Sequence, residues 1–220
     1  MADAALTEAD LARIEAAVGA AEQRTAGEIV PFVVRQSGRY DVAAWRAAAV
    51  GALLAAAAAL GLSWLYDGWG LPWLYSTWAV ETATLAGAVA GGLVGTFVEP
   101  IRRLLAGPLL LAETVQRRAA EAFLAEEVFA TRDRTGILLF VSLFEHRIEV
   151  VGDAGINAKV EQAEWEGVVA RIRSGIQAGD LAGGLIAAVE MCGDLLHRRG
   201  VAVRENDTDE LSDGVRVRDE

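Results

Sequence analysis

The chain has a single cysteine, Cys192, and a single lysine, Lys159. One cysteine excludes an intrachain disulfide and a cysteine-based zinc centre. Twenty basic residues stand against thirty-one acids, for a net charge of −11. That balance lacks the basic footprint of a nucleic-acid binder, so no nucleic-acid partner is expected. There is no Walker loop, dinucleotide fingerprint, zinc-ligand spacing or nucleophile elbow. Charge is also missing locally. Residues 47–66, "AAAVGALLAAAAALGLSWLY", and 82–98, "TATLAGAVAGGLVGTFV", carry none.

A helix needs about 20 mostly apolar residues to cross a bilayer, with a range from ~17. Both runs meet that length, and neither has the polar stripe of a helix that faces water. The sequence therefore predicts a transmembrane helical hairpin over residues 43–106, with the lipid bilayer as one partner. Between the runs, "LYDGWGLPWLYSTW" gathers tryptophans that suit the membrane–water interface, where a ring is buried and its N–H stays wet. Trp64, Trp69, Trp73 and Trp78 are read as interface anchors at one side and Trp45 at the other. Arg35, Arg39 and Arg46 precede the first run, and Arg102 and Arg103 follow the second, while the intervening loop has neither Lys nor Arg. The positive-inside rule places both termini in the cytoplasm of an inner-membrane protein with two spans. Residues 1–46 are of mixed character, so the first span is expected to act as an uncleaved anchor. Gly87, Gly91 and Gly95 recur every fourth residue, a spacing that allows close helix approach. The other helix of the hairpin is the simplest partner for that face, and a homo-oligomer is the alternative.

The flanks read as one water-soluble α/β domain, split into residues 1–40 and 107–203. Leu11, Ile14, Val18 and Ala21 share a helical face, with Thr7 and Asp10 placed to cap it. "GEIVPFVV" reads as a strand, and Pro31 within it implies an edge or a bulge. Val115, Ala119, Ala122 and Phe123 line a second helix. Ile137–Phe144 reads as a strand covered on both faces, paired through Glu145–His146 with a strand at Arg147–Val151. Two helices follow, one with Trp165, Val168 and Ile172 inward, the other with Leu181, Leu185, Ala188 and Cys192. A lone strand before the hairpin is not stable by itself, so 27–34 is expected to join the later sheet. The tail 204–220 holds seven acids and three arginines and is expected to be disordered.

The phrases "RTAGEIVPFVV", "RTGILLFVSLFEHRIEVVGDAGI" and "SGIQAGDLAGGLIAAVE" resemble the TPM domain family over about residues 6–200, the hairpin apart. The resemblance implies a small mixed β-sheet flanked by helices, here interrupted by the hairpin. Family members are associated with calcium binding and with weak phosphatase activity. Many carry a "GYGLEG"-like loop where this chain has "GDAGINAKV". Asp153 follows a strand end, where α/β folds place ligands. It and Glu28 are the candidate ligands for a Ca2+ ion, which takes six to eight oxygens. Asp153 also suits a turn or a helix cap. His146 lies at a hairpin turn and His197 at a helix end. Cys192 and Arg198 have the spacing of cysteine-dependent phosphatases but fall inside a helix. The expected function is a membrane-held, non-enzymatic and calcium-responsive binding or assembly module for a protein partner the sequence does not name, with a metal-dependent phosphatase at the membrane face as the alternative.

Overall fold

A computed structural model describes residues 6–65, 76–201 and 210–218. The chain forms two compact units. One comprises the residues up to Ser37 together with those from Thr114 onward, and the other is Gly38–Glu113.

The first unit is built on a four-stranded mixed sheet in the order β3-β2-β1-β4. Strand β1 (Glu28–Val34) pairs in parallel with β2 (Gly136–Ser142), from Glu28 opposite Gly136 to Val34 opposite Ser142. Strand β3 (Arg147–Gly152) returns antiparallel to β2 through a loop at 143–146, where His146 has a left-handed backbone, φ 53°. The loop is thus two residues longer than the sequence reading made it. Every residue of β1 and β2 is buried, because both faces of the sheet are covered.

Alternation along β1 divides the core in two. Ile29 and Val33 join Ile137, Leu139 and Val141 against helices α1 (Glu8–Glu22), α7 (Trp165–Ala178) and α8 (Leu181–Arg198). Val30, Phe32 and Val34 join Leu138 and Phe140 against Val115, Ala119 and Ala122 of α5 (Pro108–Ala125). Across that second face Phe32 and Phe140 stack at 5.5 Å. Helix α1 begins with the expected reciprocal cap: Thr7 Oγ1 accepts from the Asp10 amide, and the Asp10 carboxylate accepts from Thr7 N–H.

Pro31 lies inside β1 with no bulge in its register. The Glu28 amide donates to Thr135 O on the β2 side, and the Ile29 amide donates to Glu22 Oε1 on the other side. By alternation the missing N–H of Pro31 faces away from β2, and β4 pairs only from Phe32 onward. The proline therefore costs no ladder bond.

The tail departs from expectation. Instead of disorder throughout 204–220, Arg216–Arg218 forms β4 in parallel with Phe32–Val34. Composition alone missed this, because the short strand depends on a sheet edge that the rest of the fold supplies.

In the second unit, α2 (Asp41–Leu65) and α3 (Thr77–Phe97) pack together, followed by α4 (Glu99–Ala106). Both long helices have the length and apolar character to cross a membrane. Only 11 % of the most apolar stretch of α2 and 6 % of that of α3 is buried within the chain. Leu53 is 71 % and Leu85 67 % exposed. Trp45, Trp64 and Trp78 are also exposed, while Trp69 and Trp73 lie outside the described residues.

The glycine face is taken up within the hairpin. A Cβ on Gly91 would meet the Ala47 carbonyl, one on Gly87 the Gly51 backbone, and one on Gly95 the Ala47 side chain. These glycines let the two backbones touch.

Candidate functional site

Asp153 and Glu28 lie at the same end of the sheet, on either side of Gly136. Glu28 pairs with Gly136 in the β1–β2 register, and the Asp153 amide donates to Gly136 O at 2.9 Å. Gly136 sits between them because a Cβ there would strike the Val128 carbonyl. This is not the end that the α/β ligand rule describes. Strand β3 runs antiparallel, so its carboxyl end lies at the amino ends of β1 and β2. Direction within the sheet, which pairing sets, decides the point.

The Asp153 side chain is buried and already engaged. It caps the short helix α6 (Ala154–Asn157) by accepting from the Ala154 amide at 2.7 Å. Arg134 Nη2 donates to its Oδ1 at 2.9 Å, and Nε lies 2.8 Å from Oδ2. The Arg134 guanidinium also lies over the Phe129 ring, 5.7 Å from its centroid. Gly155 permits this loop: its amide donates to Arg134 O at 2.9 Å, and a Cβ there would clash with the Asp133 carbonyl.

The pairing of Arg134 with Asp153 is not visible in the order of residues. The left-handed backbone of Arg134, φ 59°, turns the side chain's course in a way that spacing does not reveal.

The Glu28 carboxylate accepts from the Glu210 amide at 3.3 Å. Glu210 in turn accepts from the Arg132 amide at 2.8 Å. The two candidate ligands therefore hold an arginine and the C-terminal segment respectively. Among the described residues no three His, Cys, Asp or Glu side chains gather as a metal-binding group. This donor set does not fit a calcium ion: a guanidinium sits on both oxygens of Asp153, and a cation there would meet like charge.

A second polar group escaped the sequence reading. At the opposite end of β1 and β2, buried Ser142 donates to the Glu145 carboxylate. Ser37 donates its amide to Glu145 Oε1 at 2.9 Å, and the Ser37 and Ser142 hydroxyls share a hydrogen bond of 2.7 Å. This network satisfies buried polar atoms where β1 and β2 end.

The remaining candidates fall where local structure explains them. His146 is exposed in the β2–β3 loop, and His197 Nδ1 lies 3.3 Å from Arg24 O near the end of α8. Cys192 is fully buried in α8, and burial pushes its thiol pKa up to about 12. A thiol so held is not the low-pKa nucleophile of a phosphatase.

The model of the TPM domain matches residues 106–195. The chain carries a TPM domain. The match spans α5, β2, β3 and the helices that follow, so β1 in the middle of the sheet lies outside it. The fold of the TPM chain is similar to the solution structure of the BA42 protein from the psychrophilic bacterium Bizionia argentinensis. The TM-score is 0.59 at 18 % identity, over 97 % of this chain and 95 % of that one. No curated protein matches by sequence.

Proposed function

We propose that this TPM domain protein is held in the inner membrane by the α2–α3 hairpin, and that its α/β unit is a non-enzymatic binding or assembly module. The exposed apolar surface of the hairpin carries the reading. From Trp45 to Trp64 is 19 residues of helix, or roughly 29 Å at 1.5 Å per residue. That matches a hydrocarbon core of about 30 Å, with a tryptophan at each boundary.

Polar groups along α3 support the same environment. The hydroxyls of Thr82, Thr84 and Thr96 donate to the carbonyls of Trp78, Val80 and Gly92 at 2.7, 2.8 and 2.8 Å. Such internal satisfaction suits a medium with no water to bond. Arg46 Nη1 donates to Leu105 O at 2.6 Å near the end of α4, which adds charge at the base of the hairpin. Arginines at the base and none in the tip segment support cytoplasmic termini.

The binding-module reading rests on the candidate site. Asp153 is committed to Arg134 and a helix cap, and the one thiol is inert.

Alkaline extraction of membranes, followed by labelling with an impermeant thiol reagent, tests the anchoring. In a Cys192→Ala background the protein should stay in the pellet. Ser76→Cys should label from the outside, and Gln36→Cys only after the membrane is opened. Release into the supernatant overturns the anchoring, and the reverse labelling pattern overturns the orientation.

A further inference from the structure

We propose that helix α4 is a membrane-interface helix. It lies along the headgroup boundary at the base of the hairpin, with Pro100, Leu104 and Leu109 turned into lipid. The partner is the headgroup and upper acyl region of the phospholipid bilayer, in the leaflet on the arginine side. The proposal rests on the anchoring reading and assigns a membrane contact outside the two spans.

The backbone sets α4 across the base of the hairpin. Val98 closes α3 and opens α4 with φ −98° and ψ 94°, outside the helical region, so α4 does not continue α3. A Cβ on Gly95 would meet Ala43 and Ala47, so α3 has reached the start of α2 before Val98. A straight continuation would run past α2. Instead α4 packs against both α2 and α3. Arg46 Nη1 donates to Leu105 O at 2.6 Å and to Ala106 O at 3.3 Å, which ties the end of α4 to α2 one residue from Trp45.

That tie fixes the depth. Trp45 and Trp64 stand roughly 29 Å apart along α2, enough to bracket the hydrocarbon core. A segment held beside Trp45 therefore lies at the boundary. With eight residues, α4 is only ~12 Å long and cannot cross. A short helix with one apolar face settles in the plane of the interface.

The faces of α4 agree with that placement. Pro100 and Leu104, four residues apart, share one side and are exposed, Leu104 at 77 %. Ala106, on the other side, is buried. Gly107, with φ 87°, turns the chain into α5, whose Leu109 is 71 % exposed. Trp45 and Phe97 are exposed as well. Apolar exposure thus persists from the end of the spans through α4 to the start of α5. Arg102 and Arg103 sit between Pro100 and Leu104 in sequence, and segments 39–46 and 99–106 together hold four arginines and two acids. This local positive excess, in a chain of net charge −11, suits headgroup phosphates. Contacts at the boundary set the tilt and depth of a span, so α4 would fix both for the hairpin.

The test uses the full chain with Cys192→Ala, in vesicles of phosphatidylcholine and phosphatidylglycerol. A fluorophore is attached at Leu104→Cys, or at Leu53→Cys, which lies roughly 12 Å along α2 from Trp45. Lipids carrying a nitroxide near the headgroup end or near the methyl end of the acyl chain report its depth. The Leu104 label should be quenched about twofold more by the shallow nitroxide than by the deep one, and the Leu53 label the other way round. Leu109→Cys should follow Leu104→Cys, and gives the answer if the first label disturbs insertion. A Leu104 label that neither nitroxide quenches, beside a quenched Leu53 label, overturns the proposal and leaves the anchoring standing. Energy transfer between Leu104 labels on separate chains would give the face to a second copy and overturns it too. If the Leu53 label also escapes quenching, the anchoring itself falls.

Discussion

Two helix pairs in this molecule use the same device and end in opposite surroundings. Helices α2 and α3 touch where Gly51 meets Gly87 and Gly91 meets Ala47. Helices α7 and α8, joined through Gly179 and Asp180, touch where a Cβ on Gly175 would lie 2.5 Å from Gly184 Cα. In the second pair the other apolar residues, Val168, Ile172, Leu185 and Cys192, go under a sheet and are buried. In the first, Leu53, Leu60, Leu85 and Leu93 face outward. Small residues set how closely helices approach. They do not decide what surrounds the pair.

The largest break in that comparison comes from filling the crossings. Gly175→Leu should destabilise the α/β unit by about 3 kcal/mol, since backbone rather than side chain blocks the new atoms. Thermal unfolding followed by circular dichroism measures it. Gly91→Leu should leave that transition in place and separate the hairpin, read by loss of cross-linking between cysteines placed on α2 and α3. An effect on subunit cross-linking alone would return the glycine face to homo-oligomer formation.

Core truncation sharpens the contrast. Leu185→Ala should cost about 3 kcal/mol, as for other fully buried leucines. Leu53→Ala should change the same unfolding transition by less than about 0.5 kcal/mol, because no buried surface is lost.

A smaller effect concerns the polar end of the sheet. Asp153→Ala removes a helix cap and an ion pair whose arginine is half exposed, and should cost about 1–2 kcal/mol. Calcium should not raise the melting temperature of the native chain. A calcium-dependent rise that Asp153→Ala abolishes would show that Arg134 yields to the ion.

The smallest effect is a pH dependence. Burial holds the Glu149 carboxyl above its ordinary value of 4.5, against the pull of Arg147. The folded chain then binds more protons than the unfolded chain just above 4.5, so this group's contribution to stability falls as pH rises through that interval. Glu149→Gln should remove the fall, seen as a melting temperature that rises relative to the native chain as pH increases from 4.

Much of this was legible in the order of residues because it is local. The Thr7–Asp10 cap, the helical faces at Ile14 and Val18, and the double-sided burial of Ile137–Val141 follow from spacing alone. The two apolar helices are legible for the same reason: length and the lack of a polar stripe are properties of one segment.

The candidate site was legible only in part. Asp153 and Glu28 do come to one end of the sheet, but the partners they hold, Arg134 and Glu210, lie 19 and 182 residues away in sequence. Glu126 holds Arg216 and Arg218 across similar separations of 90 and 92 residues. Periodicity reports which way a side chain faces on its own element. It carries no information about which distant group will stand opposite.

Sequence by itself determined the helices, the buried strands and the apolar hairpin, because propensity, capping and hydrophobic period act within a few residues. Only the tertiary structure decided the rest. It placed β1 between β2 and β4, put Asp153 at the amino end of the parallel strands, and made a strand of an acidic tail. Each of these depends on backbone groups of one segment meeting those of another. A hydrogen-bond ladder exists only once both of its edges have been brought together.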